Sequence, residues 1–392
     1  LPERDCPTPT AVWNVVDRDY AGAVVLSASH NPPEYNGIKY FPDDGAPAMP
    51  EVTDRIEANL REPDPLPEAE HGVVVRDDLV TPHVEAVTDL VESFGFTGEQ
   101  LDLSGLTVAY DAMHGSGRGV TGEALEAAGA TVERIRCETD PEFGGGAPEP
   151  SKENLHALAD YVHSGKADLG IANDGDADRI AVTTPGGYLD ENLFFAATYD
   201  ALLEHNSGPA VRTVSTTFMI DRVAHAHDED VVETAVGFKW VADAMGTHDA
   251  LMGGEESGGF SVKGHVREKD GVLMALLAAA VQAAEPYIHR VEKLEDEHGR
   301  IVADKVSLDC PDAEKERVLE ELEDVIPAEV AGVPVERTVT LDGFKLLCED
   351  GSWLLVRPSG TEPKLRVYAE GSSEARVEAV LDAGRELVGP LV

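Results

Sequence analysis

Short apolar runs alternate with polar loops and with segments of helical periodicity along most of this chain. Residues 23–26, 168–172 and 250–252 read as strands, largely apolar or small throughout. Each leads at once into a polar loop: Ser27-Ala28-Ser29-His30-Asn31-Pro32, then Asp174-Gly175-Asp176-Ala177-Asp178-Arg179, then Gly253-Gly254-Glu255-Glu256-Ser257-Gly258-Gly259. Helical stretches such as 151–163 and 270–284 alternate with these strands. Such alternation predicts α/β layers with mostly parallel sheets. In those sheets the loops at the carboxyl ends of the strands build the sites. The recurrence predicts three similar α/β domains turning their loops toward one cleft.

The last ninety or so residues carry a different pattern. Residues 301–308, 335–341, 345–348, 353–356 and 365–369 read as strands, with helices over 312–325 and 374–387. Tight turns at Asp342-Gly343 and Asp350-Gly351 make successive strands antiparallel, hence an α+β domain. The expected units are 1–98, 99–190, 191–298 and 299–392, around a central cleft. Ahead of Ser29 there is room for one helix, over 10–16, and one strand. The expectation is that the first domain lacks its beginning.

The longest apolar stretch, residues 271–284, is shorter than the roughly 18 residues a membrane span requires and reads as a buried helix. No signal-peptide pattern opens the chain, so a cytoplasmic protein is expected. Four widely spaced cysteines, with no CxxC pair, read as reduced thiols. The net charge is −44, from 75 acidic and 31 basic residues. That balance argues against nucleic acid and against anionic membrane surfaces as partners. The acidity is spread along the chain, as in a halophile's proteins, where dense counterions screen self-repulsion.

Ser29 ends an apolar strand with His30, Asn31 and Lys39 close behind. A serine there can present its hydroxyl to a cleft, although Ser, Asn and Pro also build ordinary turns. There is no Gly-x-Ser-x-Gly elbow to suggest a hydrolase triad. Asp174, Asp176 and Asp178 alternate with small residues, so an extended backbone points all three the same way. Crowded carboxylates repel unless a cation joins them, and oxygen ligands suit Mg²⁺ or Ca²⁺. An EF-hand is excluded, since its sixth position would be Arg179 and its twelfth Pro185. A solvated acidic loop is the alternative, against which Arg179 weighs. Arg357-Pro358-Ser359-Gly360-Thr361-Glu362-Pro363 offers a guanidinium, hydroxyls and glycine-opened N–H groups, the chemistry of a phosphate cradle or of a plain strand connection. Glu255 and Ser257 can hydrogen-bond sugar hydroxyls or close a turn. Gly237-Phe238-Lys239-Trp240 and Gly264-His265, with Lys269-Asp270-Gly271, are weaker signals.

In this order, the motifs resemble the α-D-phosphohexomutase family, over essentially the whole chain. The resemblance implies a phosphoserine at Ser29 and Mg²⁺ held by Asp174, Asp176 and Asp178 together with that serine. It implies Arg179 supporting the serine phosphate, with Lys39 similar to the lysine considered a general acid/base and His30 beside the serine. Lys239, Glu255 and Ser257 would read the sugar, and Arg357, Ser359, Gly360 and Thr361 would hold its other phosphate. The reaction implied interconverts hexose 1- and 6-phosphates, most like phosphoglucomutase-type members, through a hexose bisphosphate intermediate, in a monomer or homodimer. Many members carry a histidine where this chain has Gly259; His265 is the expected substitute.

Overall fold

A computed structural model describes residues 1–360 and 362–392. Its first unit contains the helix Thr8–Asp17 and a two-stranded antiparallel ribbon, Gly22–Leu26 against Ile38–Pro42. The second is a five-stranded sheet in the order Thr131–Ile135, Thr107–Asp111, Leu169–Asn173, Ile180–Thr184, Gly187–Leu189. Its first three strands are parallel and its last two antiparallel. The third orders Phe260–Val262, Met252–Gly254, Ala210–Thr213 and Val231–Thr234, parallel except for Phe260–Val262. The last is a six-stranded antiparallel sheet closed by the helix Glu374–Val388. The protein is thus α/β in three units with an α+β unit at its end. The ribbon departs from the parallel pattern expected of the first.

Leu169–Asn173 is buried at every position, as a strand covered on both faces requires. Helix Gly271–Ala284 is apolar all round because it is buried all round, and no single helix among the described residues is long and apolar enough to cross a membrane. Asp270 starts that helix, its Oδ1 accepting from the backbone N–H groups of Val272 and Leu273 at 2.8 and 2.9 Å. Helix Val80–Ser93 packs its Val87 and Val91 into the same core. The helix expected from residue 151 begins at His156, and the strand expected over 250–252 runs Met252–Gly254. All four cysteines are unpaired.

Candidate active site

The serine loop leaves the strand Gly22–Leu26, and the aspartate loop leaves Leu169–Asn173. They meet so closely that a Cβ on Gly175 would lie 2.3 Å from the carbonyl oxygen of Ser29, which only glycine permits. Ser29 has φ +54°, a left-handed conformation that costs a non-glycine residue on the order of 1 kcal/mol or more. Its amide donates to Ser27 Oγ at 2.9 Å, and its Oγ donates to Asp174 Oδ2 at 3.0 Å. His30 Nδ1 is 3.4 Å from the same Oγ. Burial, with Arg179 nearby, lowers the His30 pKa to about 4, so its ring is neutral.

Asp174, Asp176 and Asp178 are buried, and one oxygen of each lies within 4.8 Å of the others. Asp174 Oδ1 accepts from the amides of Asp178 and Arg179, both at 3.1 Å. Asp176 Oδ2 accepts from Lys39 Nζ at 2.7 Å and from Ser27 Oγ and Thr8 Oγ1, each at 2.8 Å. Lys39 Nζ also stands 3.2 Å from Asp178 Oδ2, and Lys269 Nζ 3.3 Å from it. Burial, then the charges of Asp178 and Asp176, push the Asp174 carboxyl up to about 8. Burial would raise Asp178 too, but Lys269, Lys39 and Arg179 hold it below the usual range. Burial works against the Lys39 ammonium, yet Asp178 and Asp176 keep its pKa above normal.

These residues fit a divalent cation. Asp176 Oδ1 and Asp178 Oδ1 are buried with no hydrogen-bond partner among the described residues, and the set is all oxygen, as Mg²⁺ prefers. Arg179 lies beside them, its Nε 3.8 Å from Asp178 Oδ1 and likewise without a hydrogen bond among the described residues.

The loop after Met252–Gly254 carries Glu255, which is buried, and Ser257, which is partly exposed. Glu255 Oε1 accepts from the amide of Gly237 at 2.8 Å, tying this loop to the start of the helix Phe238–His248. Burial, then Glu256, raises the Glu255 pKa. Lys239, in that first turn, has its Nζ 5.4 Å from the Trp240 ring centroid. Arg357 donates from Nε to Asp342 Oδ2 at 2.9 Å, and the amide of Val236 donates to the same oxygen at 3.0 Å. Asp342 therefore links Arg357 to the segment beside the Glu255 loop. Ser359 is buried and Gly360 exposed; Thr361 lies outside the described residues.

His265 does not take the place of a side chain at 259. Its ring is buried, and its Nε2 meets Asp270 Oδ2 at 2.8 Å. The space belongs to Lys269, since a Cβ on Gly259 would lie 2.3 Å from Lys269 Cδ. Lys269 stands out in the sequence only as part of a Lys-Asp-Gly run. Its Nζ stands 2.5 Å from Glu268 Oε1, 3.3 Å from Asp178 Oδ2 and 5.0 Å from the Phe238 ring centroid. Thr8 carries no recognisable sequence signal, and the contacts of Ser27 with Asp176 and of Asp342 with the amide of Val236 span more than a hundred residues.

Four family profiles match in order: phosphoglucomutase/phosphomannomutase α/β/α domain I over residues 3–66, domain II over 82–187, domain III over 190–298 and the C-terminal domain over 305–387. A phosphoglucomutase/phosphomannomutase of Thermococcus kodakarensis is 30% identical over 387 residues, covering 97% of this chain and 82% of that one. A phosphopentomutase of the same organism is 31% identical over 398 residues, covering 98% and 83%. A crystal structure from Thermus thermophilus, of a protein assigned as a phosphomannomutase, superposes with a TM-score of 0.82 at 30% identity over 99% of this chain and 83% of that one. Matched from residue 3 to 387 by all four domains of one enzyme family, the chain belongs to the phosphoglucomutase/phosphomannomutase family, the α-D-phosphohexomutases.

Proposed function

We propose that this enzyme interconverts hexose 1-phosphate and hexose 6-phosphate, with the glucose phosphates as its preferred pair, through a phosphate carried on Ser29 and a bisphosphorylated sugar. The observation that carries the reading is the 3.0 Å contact of Ser29 Oγ with Asp174 Oδ2, where Lys39, Lys269 and Arg179 crowd three carboxylates. A hydroxyl so placed stands among groups that stabilise the charge of a transferring phosphoryl.

On this reading the bond from Ser29 Oγ to phosphorus breaks as a bond from the free sugar hydroxyl to the same phosphorus forms. Lys39 gives a proton to the departing Ser29 Oγ, and neutral His30 takes the proton released by the sugar hydroxyl. In the return step the two exchange roles, and the sugar's other phosphate goes back to Ser29. Each cycle therefore leaves the phosphoserine as it began. Arg179 steadies the serine phosphate, to which its Nε, without a hydrogen bond among the described residues, is suited. Asp174, Asp176 and Asp178, together with the serine phosphate, would hold Mg²⁺, which would supply Lewis-acid neutralisation of the phosphoryl charge. Lys239, Glu255 and Ser257 read the sugar, and Arg357 with the 359–361 segment holds the phosphate that is not transferring.

Gly237-Phe238-Lys239 with the 255–259 loop favours glucose. Mannose phosphates are the second reading, which the Thermococcus phosphoglucomutase/phosphomannomutase favours, and glucosamine phosphate the third. Turnover of glucose, mannose, glucosamine and ribose 1-phosphates, measured in parallel with Mg²⁺ in concentrated KCl, is the test. Fastest turnover of glucose 1-phosphate is expected. Faster turnover of another sugar replaces the substrate, and no turnover of any by the Ser29-phosphorylated chain overturns the reading.

A further inference from the structure

A guanidinium carries its N–H donors in one plane, and it offers two of them side by side to an oxyanion only when that plane is fixed. Arg357 lies near the end of the strand Trp353–Pro358 and is buried. Its Nε donates to Asp342 Oδ2 at 2.9 Å, while Nη1 and Nη2 have no hydrogen-bond partner among the described residues. Asp342 is itself held from the other side. The same Oδ2 accepts from the amide of Val236 at 3.0 Å, and the next amide, that of Gly237, donates to Glu255 Oε1 at 2.8 Å. The backbone beside Asp342 is equally constrained. Gly343 has φ +82°, and a Cβ there would lie 2.2 Å from the carbonyl oxygen of Val356 and 2.8 Å from Arg357 Cβ. The Asp342-Gly343 turn therefore packs onto the strand beside Arg357, an approach that only glycine allows.

We propose that Asp342 is a positioning residue for the phosphate that is not transferred. Anchored by the Val236 amide, its carboxylate takes Nε of Arg357 and fixes the guanidinium plane, which commits Nη1 and Nη2 to phosphate oxygens. Because residues 236 and 237 are consecutive, the same contact sets Arg357 in register with Glu255. A carboxylate beside a phosphate-binding cation also repels the phosphate by its charge. Orientation and repulsion thus act on affinity with opposite signs, and a substitution that removes one without the other separates them. The inference rests on the reading of Arg357 as the residue that holds this phosphate.

The test measures binding of glucose 6-phosphate to the full chain by calorimetry, beside steady-state kinetics and thermal unfolding. Asp342→Ala removes the acceptor and the charge together. It is expected to weaken binding and raise KM by about tenfold, the loss of one charge-assisted hydrogen bond, with kcat within about twofold. Asp342→Asn keeps an acceptor without the charge and should restore most of the affinity. Asp342→Ser, too short to reach both donors, serves if the alanine variant fails to fold. Tighter binding by the alanine variant would mean that charge governs and would overturn the inference. A variant that melts lower but binds with unchanged Kd overturns it too and leaves Asp342 a merely structural residue. In the Arg357→Met background, Asp342→Ala should weaken binding no further, since it acts through that side chain; losses that simply add would refute the coupling. If Arg357→Met alone binds normally, the reading of Arg357 itself fails, and the inference with it.

Discussion

Asp174 and Ser29 are 145 residues apart in the chain, and Ser29 Oγ donates to Asp174 Oδ2 at 3.0 Å. The bond joins the loops of two units through a serine whose backbone is held in a left-handed conformation. The aspartate loop packs against the carbonyl of that serine, with Gly175 at the contact. The predicted consequence is a single phosphate on Ser29 in the active protein. Ser29→Ala should lose that phosphate and reduce turnover by about 10³-fold or more, as removal of an essential covalent group does. It should still bind hexose phosphate through Arg357. Intact mass and peptide mapping, with an activity assay, check all three.

Asp176 offers the sharpest probe of the cation site. Its Oδ2 is saturated by three donors, while its Oδ1 has no hydrogen-bond partner among the described residues. Asp176→Asn should weaken Mg²⁺ binding by about 10–100-fold or more, since even residues that only orient metal ligands cost that much. Calorimetric titration of the metal-free chain with Mg²⁺ is the measurement. An unchanged isotherm would make the cluster a structural acidic loop and nothing else.

The parts of this site that the sequence displays are those in which one short segment carries a whole chemical unit. Asp174, Asp176 and Asp178 are legible as a cluster because they fall in one short segment, although a turn with Ala177 at φ +54°, and not the strand period, brings them together. Arg357 and Ser359 follow from a strand-to-loop transition. Helix Gly271–Ala284 is legible because a run apolar on every side has no choice but burial. Lys269 is hidden, because its role depends on the emptiness of Gly259 and on Asp178, some ninety residues earlier. His265 draws attention as a histidine near the right place, but the fold turns its ring onto Asp270. Strand ends shift by a residue or two, as at Met252–Gly254, because glycine marks where a strand can end without marking where it must.

Asp270 gathers two imidazoles. His83 Nε2 and His265 Nε2 meet its Oδ2 at 2.7 and 2.8 Å, and Thr10 Oγ1 bonds His83 Nδ1 at 2.9 Å. Three segments from different parts of the chain are thereby pinned next to Lys269. Burial would raise the Asp270 pKa, but His83 and the hydrogen bonds of His265 and His83 outweigh it and hold the carboxyl far below its usual range. A depressed carboxylate contributes stability that is full above its unfolded pKa of about 3.9 and lost as pH falls below it. His83→Phe should therefore cost about 1.5–3 kcal/mol near neutral pH, the value of a hydrogen bond to a buried charge. The deficit relative to the parent protein should shrink as pH falls below about 4. Urea unfolding of both proteins at a series of pH values tests the size and the sign.

A net charge of −44 on a chain of 392 residues makes self-repulsion a first-order term in the stability of this fold. At ~0.01 M ionic strength the Debye length is ~30 Å, so carboxylates across a whole domain repel one another; at ~1 M it is ~3 Å and only neighbours do. The aspartate loop repeats the problem locally, with three buried carboxylates crowded together. Stability and activity should both rise from dilute salt into molar KCl. Some pairs will weaken as the salt rises, such as the exposed Lys263–Asp249 bridge at 2.5 Å, but such pairs contribute only about 0–1 kcal/mol each. With 75 acidic residues against 31 basic, most carboxylates have no cation to pair with, so screening of repulsion outweighs screening of attraction. Thermal unfolding from about 0.1 M to about 3 M KCl is the measurement, with sucrose as the control, because sucrose stabilises by exclusion without screening charge. A melting temperature that climbs in KCl well beyond the gain in sucrose is the expected result. One that stays flat or falls would mean the acidic surface serves solubility and the fold is indifferent to salt.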